Sequence, residues 1–268
     1  MPQSLVDILQ MPPTGRPNAL IVDCHAYAEA VLLQGRPLPW AEPMACANLL
    51  GQAYTLLRSD AAVLDLGRFA SAHLRGSSAL QEAMGARSRS GYALRTLLND
   101  DALTEIAASV VTTVTATQRI PVMLTIPSPE LWLTATSPYS SATDAFTQDH
   151  VENAAIYLAD WLRAFGGAPL TAIVLDRRAN GAAGPTFELA PASLSPLSNL
   201  ARHYDWDLLV RRDAHVASID SEQSIDVLPS EFWLDARPLP VPGRPHFTSI
   251  PPTANPEHVL HRIDQFAH

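Results

Sequence analysis

Residues 168–181 read A-P-L-T-A-I-V-L-D-R-R-A-N-G, and this stretch decides the fold class. The apolar run at residues 170–175 is too short for a helix and stops at Asp176, Arg177 and Arg178. Such a run, preceded by a helical segment, is typical of a strand buried on both faces of a parallel sheet. Charged residues at the C-terminal end of such a strand are where α/β proteins carry their chemistry. The stretch therefore predicts an α/β fold with functional residues at strand ends.

The same alternation of helical and strand segments continues along the chain. Helical spacing of apolar residues occurs at residues 42–58, 100–118, 150–165 and 194–203, and an N-cap at Asn255 begins a last helix. Strand-like runs occur at residues 19–24, 61–66, 120–126, 170–175, 206–210, 225–228 and 246–250. Units of this kind form either a barrel or a doubly wound sheet. Because no Gly-x-Gly-x-x-Gly follows the first strand, we predict a TIM-type (β/α)8 barrel, trimmed or irregular.

The remaining segments are predicted to be loops around a single domain spanning residues 1–268, since a barrel of about 250 residues is commonly one domain. Residues 1–18 are rich in proline and predict an extended lead-in. Residues 76–91 predict an exposed loop, and residues 127–141 a long loop bearing aromatic side chains. Residues 180–185 predict a glycine-rich turn and residues 238–245 a proline-dense connector.

The composition excludes several classes of enzyme. The chain contains no lysine, so all 18 basic residues are arginines. Walker A nucleotide sites, Schiff-base aldolases, pyridoxal phosphate enzymes and Ser-x-x-Lys hydrolases all need a lysine. The net charge of −9 argues against a nucleic-acid partner, and no long apolar run predicts a membrane span. Two cysteines and no leader segment lead us to expect a cytoplasmic protein whose main partner is a small-molecule substrate.

Four segments, taken in order, resemble the superfamily of uroporphyrinogen decarboxylase and the corrinoid-dependent methyltransferases that use coenzyme M. Residues 42–66 are similar to the family's helix and strand with an aspartate near the strand end. Residues 120–132 (I-P-V-M-L-T-I-P-S-P-E-L-W) are similar to its V-P-x-I-G-F-x-G-x-P-x-T segment. Residues 153–176 are similar to its G-A-D-A-I-x-I-F-D region, and residues 245–263 to its terminal P-P-x-T-P-x-E-N-V. The resemblance implies a (β/α)8 barrel with lyase or transferase activity.

The resemblance does not extend to the family's most diagnostic functional residues. The methyltransferases hold zinc with a His-x-Cys pair and a terminal cysteine, but the corresponding regions here read L-L-V-R-R-D-A-H-V and F-T-S-I-P-P. The resemblance therefore implies no zinc thiolate site. The decarboxylase's R-Q-A-G-R-Y loop has no counterpart, and its terminal His-Gly is replaced by Ser249 and Ile250. The expected function is decarboxylase-like or methyltransferase-like chemistry on a small, anionic organic molecule.

The expected catalytic residues are Asp65 and Asp176. Asp65 stands at the position similar to the decarboxylase's aspartate, and Asp176 ends the strand at residues 170–175. We expect them to act as acid/base or orienting groups. Arginine forks match carboxylates, and Trp132 lies in an aromatic loop. We therefore expect the substrate to be bound by Arg177, Arg211, Trp132 and His246.

Two alternatives stay open at this point. Asp23 and His25 end the first predicted strand, where amidohydrolase barrels carry an Asp-x-His-x-His metal motif. Tyr27 stands in place of the second histidine, and a lone histidine is more often structural than a ligand. The other alternative is a barrel that binds a ligand or partner without chemistry. A corrinoid protein or another protein is a candidate partner, a homo-oligomer is a candidate assembly, and no particular cofactor is predicted.

Overall fold

The protein forms a closed barrel of eight strands, whose neighbours follow the order of the chain and whose first and last strands also pair. The structure is a computed structural model that describes residues 3–139, 146–178, 190–235 and 243–266. The strands are β1 (Leu20–Asp23), β2 (Ala62–Asp65), β3 (Val122–Pro127), β4 (Leu170–Asp176), β5 (Asp207–Arg211), β6 (His215–Ser218), β7 (Ser224–Leu228) and β8 (His246–Ser249). All seven predicted strand regions are confirmed, so the expectation of an α/β barrel is correct.

One part of the (β/α)8 prediction is wrong, because the strands are not all parallel. β6 pairs antiparallel with both β5 and β7, whereas the other neighbouring pairs are parallel. The links before and after β6 span only residues 212–214 and 219–223. A parallel crossover needs about a dozen residues or more, so links this short require hairpins. β5, β6 and β7 therefore form a meander within the barrel wall, with no helix between them.

Helices cover the outside of the barrel. They are α1 (Leu5–Gln10), α2 (His25–Tyr27), α3 (Pro43–Leu57), α4 (Leu66–Arg75), α5 (Ser78–Gly85), α6 (Tyr92–Leu98), α7 (Asp101–Thr117), α8 (Pro129–Thr136), α9 (Gln148–Leu162), α10 (Ser195–His203), α11 (Glu231–Leu234) and α12 (Pro256–Gln265). The helices predicted at residues 42–58, 100–118, 150–165 and 194–203 correspond to α3, α7, α9 and α10. The predicted N-cap is also confirmed, because Asn255 Oδ1 accepts hydrogen bonds from the backbone of the first turn of α12.

Two segments predicted to be loops contain helices. Residues 76–91 include α5, whose N-terminus is capped by the Ser77 hydroxyl accepting from Leu80 N. Residues 127–141 include α8, which begins at Pro129 with Glu130 in its first turn. Proline at the first position and an acid in the first turn both favour a helix N-terminus, and these signals outweigh the β-branched and aromatic residues that follow.

The lead-in also differs from the prediction, because α1 closes the N-terminal end of the barrel. Ser4 and Asp7 form a capping box, and the backbone N–H of Leu5 donates to Asp207 Oδ2 at 3.3 Å, at the start of β5. Leu5 is buried with the residues that fill the barrel interior. These interior residues are Ile21, Ala61, Val63, Met123, Ala172, Val174, Leu209, Val216, Ile225 and Phe247.

The predicted turn at residues 180–185 and most of the connector at residues 238–245 lie outside the described residues. Within the described ranges, no helix is both long enough and apolar enough to cross a membrane.

Candidate functional site

Polar residues occupy the C-terminal mouth of the barrel. Along each strand, side chains alternate between the helical layer and the interior, so the residue two positions after an interior residue also faces inward. In β1 to β5 and β8 this inward residue at the mouth is charged or carries a hydroxyl. We call these residues the mouth cluster, and they form three cross-strand pairs: Asp23 with Ser249, Asp65 with Thr125, and Asp176 with Arg211.

Arg211 is the buried cation of the mouth cluster. Its side chain is 1% exposed and lies over the Phe247 ring at 4.4 Å. Nη2 donates to Ser249 Oγ at 3.0 Å, whereas Nη1 lies 3.8 Å from Asp23 and 3.9 Å from Asp176. Burial, reinforced by the charge of Arg178, lowers the pKa of Arg211 from 12.5 to about 10. Within the described part of the chain, Nε and Nη1 have no hydrogen-bond partner.

His25 and Asp23 form a buried hydrogen-bonded pair beside Arg211. His25 Nδ1 lies 2.9 Å from Asp23 Oδ1, and the backbone N–H of Asp65 donates to Nε2 at 3.3 Å. Because a backbone N–H only donates, Nε2 is the acceptor and Nδ1 carries the proton. The ring is fully buried and stacks on Trp40 with centroids 5.9 Å apart. Both ring nitrogens are therefore already in use.

The Asp23 carboxylate is stabilised in its charged form. Burial alone would raise its pKa, but the hydrogen bond from His25 opposes this, followed by the positive charge of Arg211. Ser249 Oγ also donates to Asp23 Oδ2 at 2.8 Å. Together these partners bring the pKa of Asp23 well below its usual value. Asp23 is accordingly the fixed anion of the mouth cluster.

Asp65 has the opposite character. Burial raises its pKa above the usual value; His25 opposes this effect, while the negative charge of Asp23 reinforces it. Asp65 Oδ1 caps α4 by accepting from the backbone N–H of Arg68 at 2.9 Å. Oδ2 has no hydrogen-bond partner among the described residues. Asp65 therefore offers an uncommitted carboxyl oxygen with increased affinity for a proton.

Asp176 is neutralised by a neighbouring arginine. Arg178 donates to both carboxylate oxygens, with Nε to Oδ1 at 3.0 Å and Nη2 to Oδ2 at 2.6 Å. Burial would lower the pKa of Arg178, but the hydrogen bonds and charge of Asp176 outweigh it and raise that pKa. A two-pronged pair of this kind fixes the orientation of both groups. The contacts of Asp176 suit an anchoring role in the mouth.

The first turn of α8 brings a buried acid to the rim. Arg177 Nε donates to Glu130 Oε1 at 2.7 Å, and Glu130 is only 3% exposed. The backbone N–H of Ser128 donates to the carbonyl oxygen of Asp176, which ties the start of α8 to the end of β4. Three buried oxygens here have no partner among the described residues: Thr125 Oγ1, Ser128 Oγ and Glu130 Oε2. Buried polar atoms are usually hydrogen-bonded, so unpaired ones at this rim of the barrel indicate a place for a ligand or water.

No family model, no curated protein and no solved structure matches the chain.

The structure brings together Asp65, Asp176 and Arg211, with Asp23 and His25 next to them. Arg177 lies at the same rim, but its guanidinium contacts Glu130. Two predicted substrate-binding residues lie elsewhere. Trp132 packs edge-on against Trp161 in the helical layer, because α8 turns this side chain away from the mouth. His246 is the first residue of β8, at the opposite end from Ser249, and contacts Phe266 next to α12.

Metal binding at Asp23 and His25 finds little support in these contacts. A ligating histidine presents a ring nitrogen lone pair, and here Nε2 accepts from Asp65 while Nδ1 is protonated. In the described ranges, no group of three or more His, Cys, Asp or Glu residues is arranged to hold a metal ion. The pair is better explained as a device that orients Asp23.

Glu130, Thr125 and Ser128 belong to the site but were not among the predicted site residues, whereas Arg178 belongs to the charged strand end at which the sequence predicts functional residues. Thr125 was detectable, because it lies two residues after the interior Met123 at the end of a predicted strand. The contact of Glu130 with Arg177 joins residues 47 positions apart and has no sequence signal.

Proposed function

We propose that the chain is a barrel enzyme that binds a small organic anion at the mouth cluster and decarboxylates it. The observation that carries this proposal is the unpaired state of Arg211. A fully buried guanidinium has two nitrogens without a hydrogen-bond partner among the described residues, at the end of the barrel where such folds carry their chemistry. A substrate carboxylate accepts strong, charge-assisted hydrogen bonds from guanidinium N–H donors of this kind.

The unsatisfied donors of Arg211 support an anionic ligand. Asp176 is matched by Arg178, and Asp23 is hydrogen-bonded to His25 and Ser249. Arg211 is then left 3.8–3.9 Å from both carboxylates, beyond hydrogen-bonding distance, so neither acid satisfies its Nη1 donor. An incompletely paired buried charge is costly, so a bound anion would gain from removing that cost. The same argument disfavours a cationic substrate.

Asp65 supplies the proton in this proposal. Its carboxyl lies close enough to Arg211 to influence the pKa of the guanidinium, and its own pKa is raised. The bond between the substrate carbon and its carboxylate breaks, CO₂ leaves, and the electron pair remains on carbon. Asp65 donates its proton to that carbon and is reprotonated by solvent. The substrate must carry an adjacent group that accepts the electron pair, such as a carbonyl or a protonated heteroaromatic ring.

Lyase chemistry is favoured over methyl transfer because the mouth holds a proton donor and no thiol. The chain has only two cysteines, and both are buried. Cys24 alternates with the inward-facing Asp23 and hydrogen-bonds with Tyr54 of α3, and burial raises its pKa. The mouth therefore contains no thiol that could be activated for methyl transfer. The resemblance to uroporphyrinogen decarboxylase supports the same choice through Asp65.

The test measures CO₂ release from a panel of 3-oxo acids and pyrrole-carboxylic acids. Wild-type protein should turn over at least one member. Asp65→Asn should lower kcat by about 10²- to 10⁴-fold. Arg211→Gln should raise KM by about tenfold or more, as expected for loss of a charged hydrogen bond. Arg202→Gln, at an exposed site on α10, is the matched control and should behave as wild type.

Two results would contradict the proposal. If Asp65→Asn and Arg211→Gln both kept full turnover, the mouth cluster would not be the active site. If calorimetry showed saturable binding of panel members while no CO₂ appeared, the barrel would be a binding protein without this chemistry.

A further inference from the structure

A second concave site lies in the helical layer, away from the mouth. Its cavity of about 660 Å³ is formed by α5, α6, the segment joining them, and the side chain of Tyr157 from α9. This volume is in the range of pockets that hold small ligands, which run from about 300 to 1,000 Å³. None of its lining residues belongs to the mouth cluster, so the site is independent of the proposed decarboxylase function.

The cavity is basic in an otherwise acidic chain. Arg87, Arg89 and Arg95 line it, whereas the net charge of the protein is −9. None of these arginines forms a salt bridge with a described residue. Among the described residues of the lining the one carboxylate is that of Asp100, and it is already hydrogen-bonded. Its Oδ2 accepts from Leu103 N at 2.8 Å and lies 2.9 Å from His73 Nε2.

Two of the guanidinium groups are positioned by aromatic rings rather than by acids. Arg87 lies over the Tyr92 ring at 5.3 Å, and Arg95 lies over the Tyr157 ring at 5.8 Å. Such contacts hold an arginine in place while leaving its N–H donors available. Exposed arginines that pair with carboxylates would lose those donors. The arrangement therefore leaves the donors of Arg87 and Arg95 available, and Arg89 lines the same cavity.

We propose that this cavity is a binding site for a small molecule carrying a phosphate ester or diphosphate. One arginine fork is enough for the two coplanar oxygens of a carboxylate. Three guanidiniums around one cavity instead match a group with at least three terminal oxygens and about two negative charges, which a phosphate supplies. The rings of Tyr92 and Tyr157 provide an apolar wall for the organic part of the ligand.

Calorimetric titration of the full chain tests this proposal with three probes: inorganic phosphate, pyrophosphate and citrate. At about 0.1 M salt, where long-range charge effects are screened, pyrophosphate should bind at one site and more tightly than phosphate. Arg87→Gln and Arg95→Gln should each weaken pyrophosphate binding by about tenfold or more. All three substituted side chains, including the control Arg202→Gln, are exposed, so the variants should keep the wild-type fold.

The control should bind pyrophosphate as wild type does. Equal weakening in Arg202→Gln would overturn the proposal, because it would show a general charge effect. Binding of citrate in preference to both phosphates would overturn the assigned ligand class, and no saturable binding of any probe would overturn the site.

Discussion

Replacing Arg211 with methionine is expected to change the stability of the protein little, or to increase it, while removing anion binding at the mouth. A guanidinium pKa lowered from 12.5 in the unfolded chain to about 10 in the folded protein corresponds to a cost of about 3 kcal/mol. Because the folded pKa lies below the unfolded one, this cost is present at every pH below about 10. Methionine keeps an apolar side chain of similar length over Phe247.

Removing the positive charge of Arg211 also changes the environment of the neighbouring carboxylates. Asp23 would keep its hydrogen bonds from His25 and Ser249, and Asp176 would keep both bonds from Arg178. Since Arg211 Nη1 lies beyond hydrogen-bonding distance of both carboxylates, each carboxylate loses only a modest electrostatic attraction. We therefore expect the free energy of unfolding of Arg211→Met to fall by no more than about 1 kcal/mol, because the cost relieved at Arg211 is already net of its attraction to these acids.

Arg262 is the matched control, since it is also buried and also lies over a phenylalanine, at 4.7 Å from Phe232. In contrast to Arg211, its nitrogens are satisfied: Nε donates to His258, Nη1 to Gln265 and Nη2 to the carbonyl oxygen of Asp235. Arg262→Met removes these hydrogen bonds and leaves the acceptors on His258, Gln265 and Asp235 facing an apolar side chain. The expected loss is about 2–4 kcal/mol.

Urea unfolding at pH 7, followed by circular dichroism, gives both free energies of unfolding from the midpoints and slopes. Arg211→Met should be clearly more stable than Arg262→Met. If Arg211→Met lost as much stability as the control, Arg211 would be a structural residue, and the argument for a ligand at the mouth would lose its basis.

Two further predictions concern Asp65 in the mouth cluster and the packing of α4 against the end of β3. The pKa of Asp65 is raised in the folded protein, so the stability of wild type falls as the pH rises from the usual carboxyl pKa to the folded pKa. Asp65→Asn keeps a side chain that can cap α4, so it should be more stable than wild type at pH 7. In urea unfolding, this difference should shrink as the pH falls toward 4. Equal stability at all pH values would contradict this. A Cβ at Gly67 would lie 2.6 Å from Pro127 Cδ, whereas one at Gly167 would have nothing within 4 Å. Gly67→Ala should lower the melting temperature by an amount equivalent to about 1–3 kcal/mol and Gly167→Ala by almost none, and equal effects would show that the contact is not tight.

Strand positions were predictable because buried parallel strands have a strong local signal. β4 is a mostly apolar run ended by an aspartate, β2 follows the same pattern, and β3 is a similar run ended by Pro127. β6 was missed because its sequence, H-V-A-S, contains a single large apolar residue and is flanked by polar links. Its two hairpins pair it through the backbone, and such pairing places few demands on side chains. The antiparallel section was therefore not detectable from apolar runs.

The site was predictable to the extent that it consists of strand ends. Asp65, Asp176 and Arg211 are the last residues of their strands, and a barrel necessarily collects such residues at one mouth. Asp176 is neutralised and Asp65 is not, because the Arg178 side chain points toward Asp176 and the Arg177 side chain contacts Glu130. Those directions arise from packing between distant segments, so sequence alone assigned Asp65 and Asp176 the same role.

The meander formed by β5, β6 and β7 has a consequence for the order of folding. Its hairpins close through links of a few residues, whereas the hydrogen bond between Ser249 and Asp23 joins positions 226 residues apart. Loop closure is fastest for local pairs, so we expect the wall carrying Arg211 to assemble early and the β1–β8 seam to close last. Pulse-labelled hydrogen exchange showing protection of β1 before β6 would contradict this order. The hydrogen bond between Ser249 and Asp23 would then form only at the final step. The mouth cluster would therefore be complete only in the fully closed barrel.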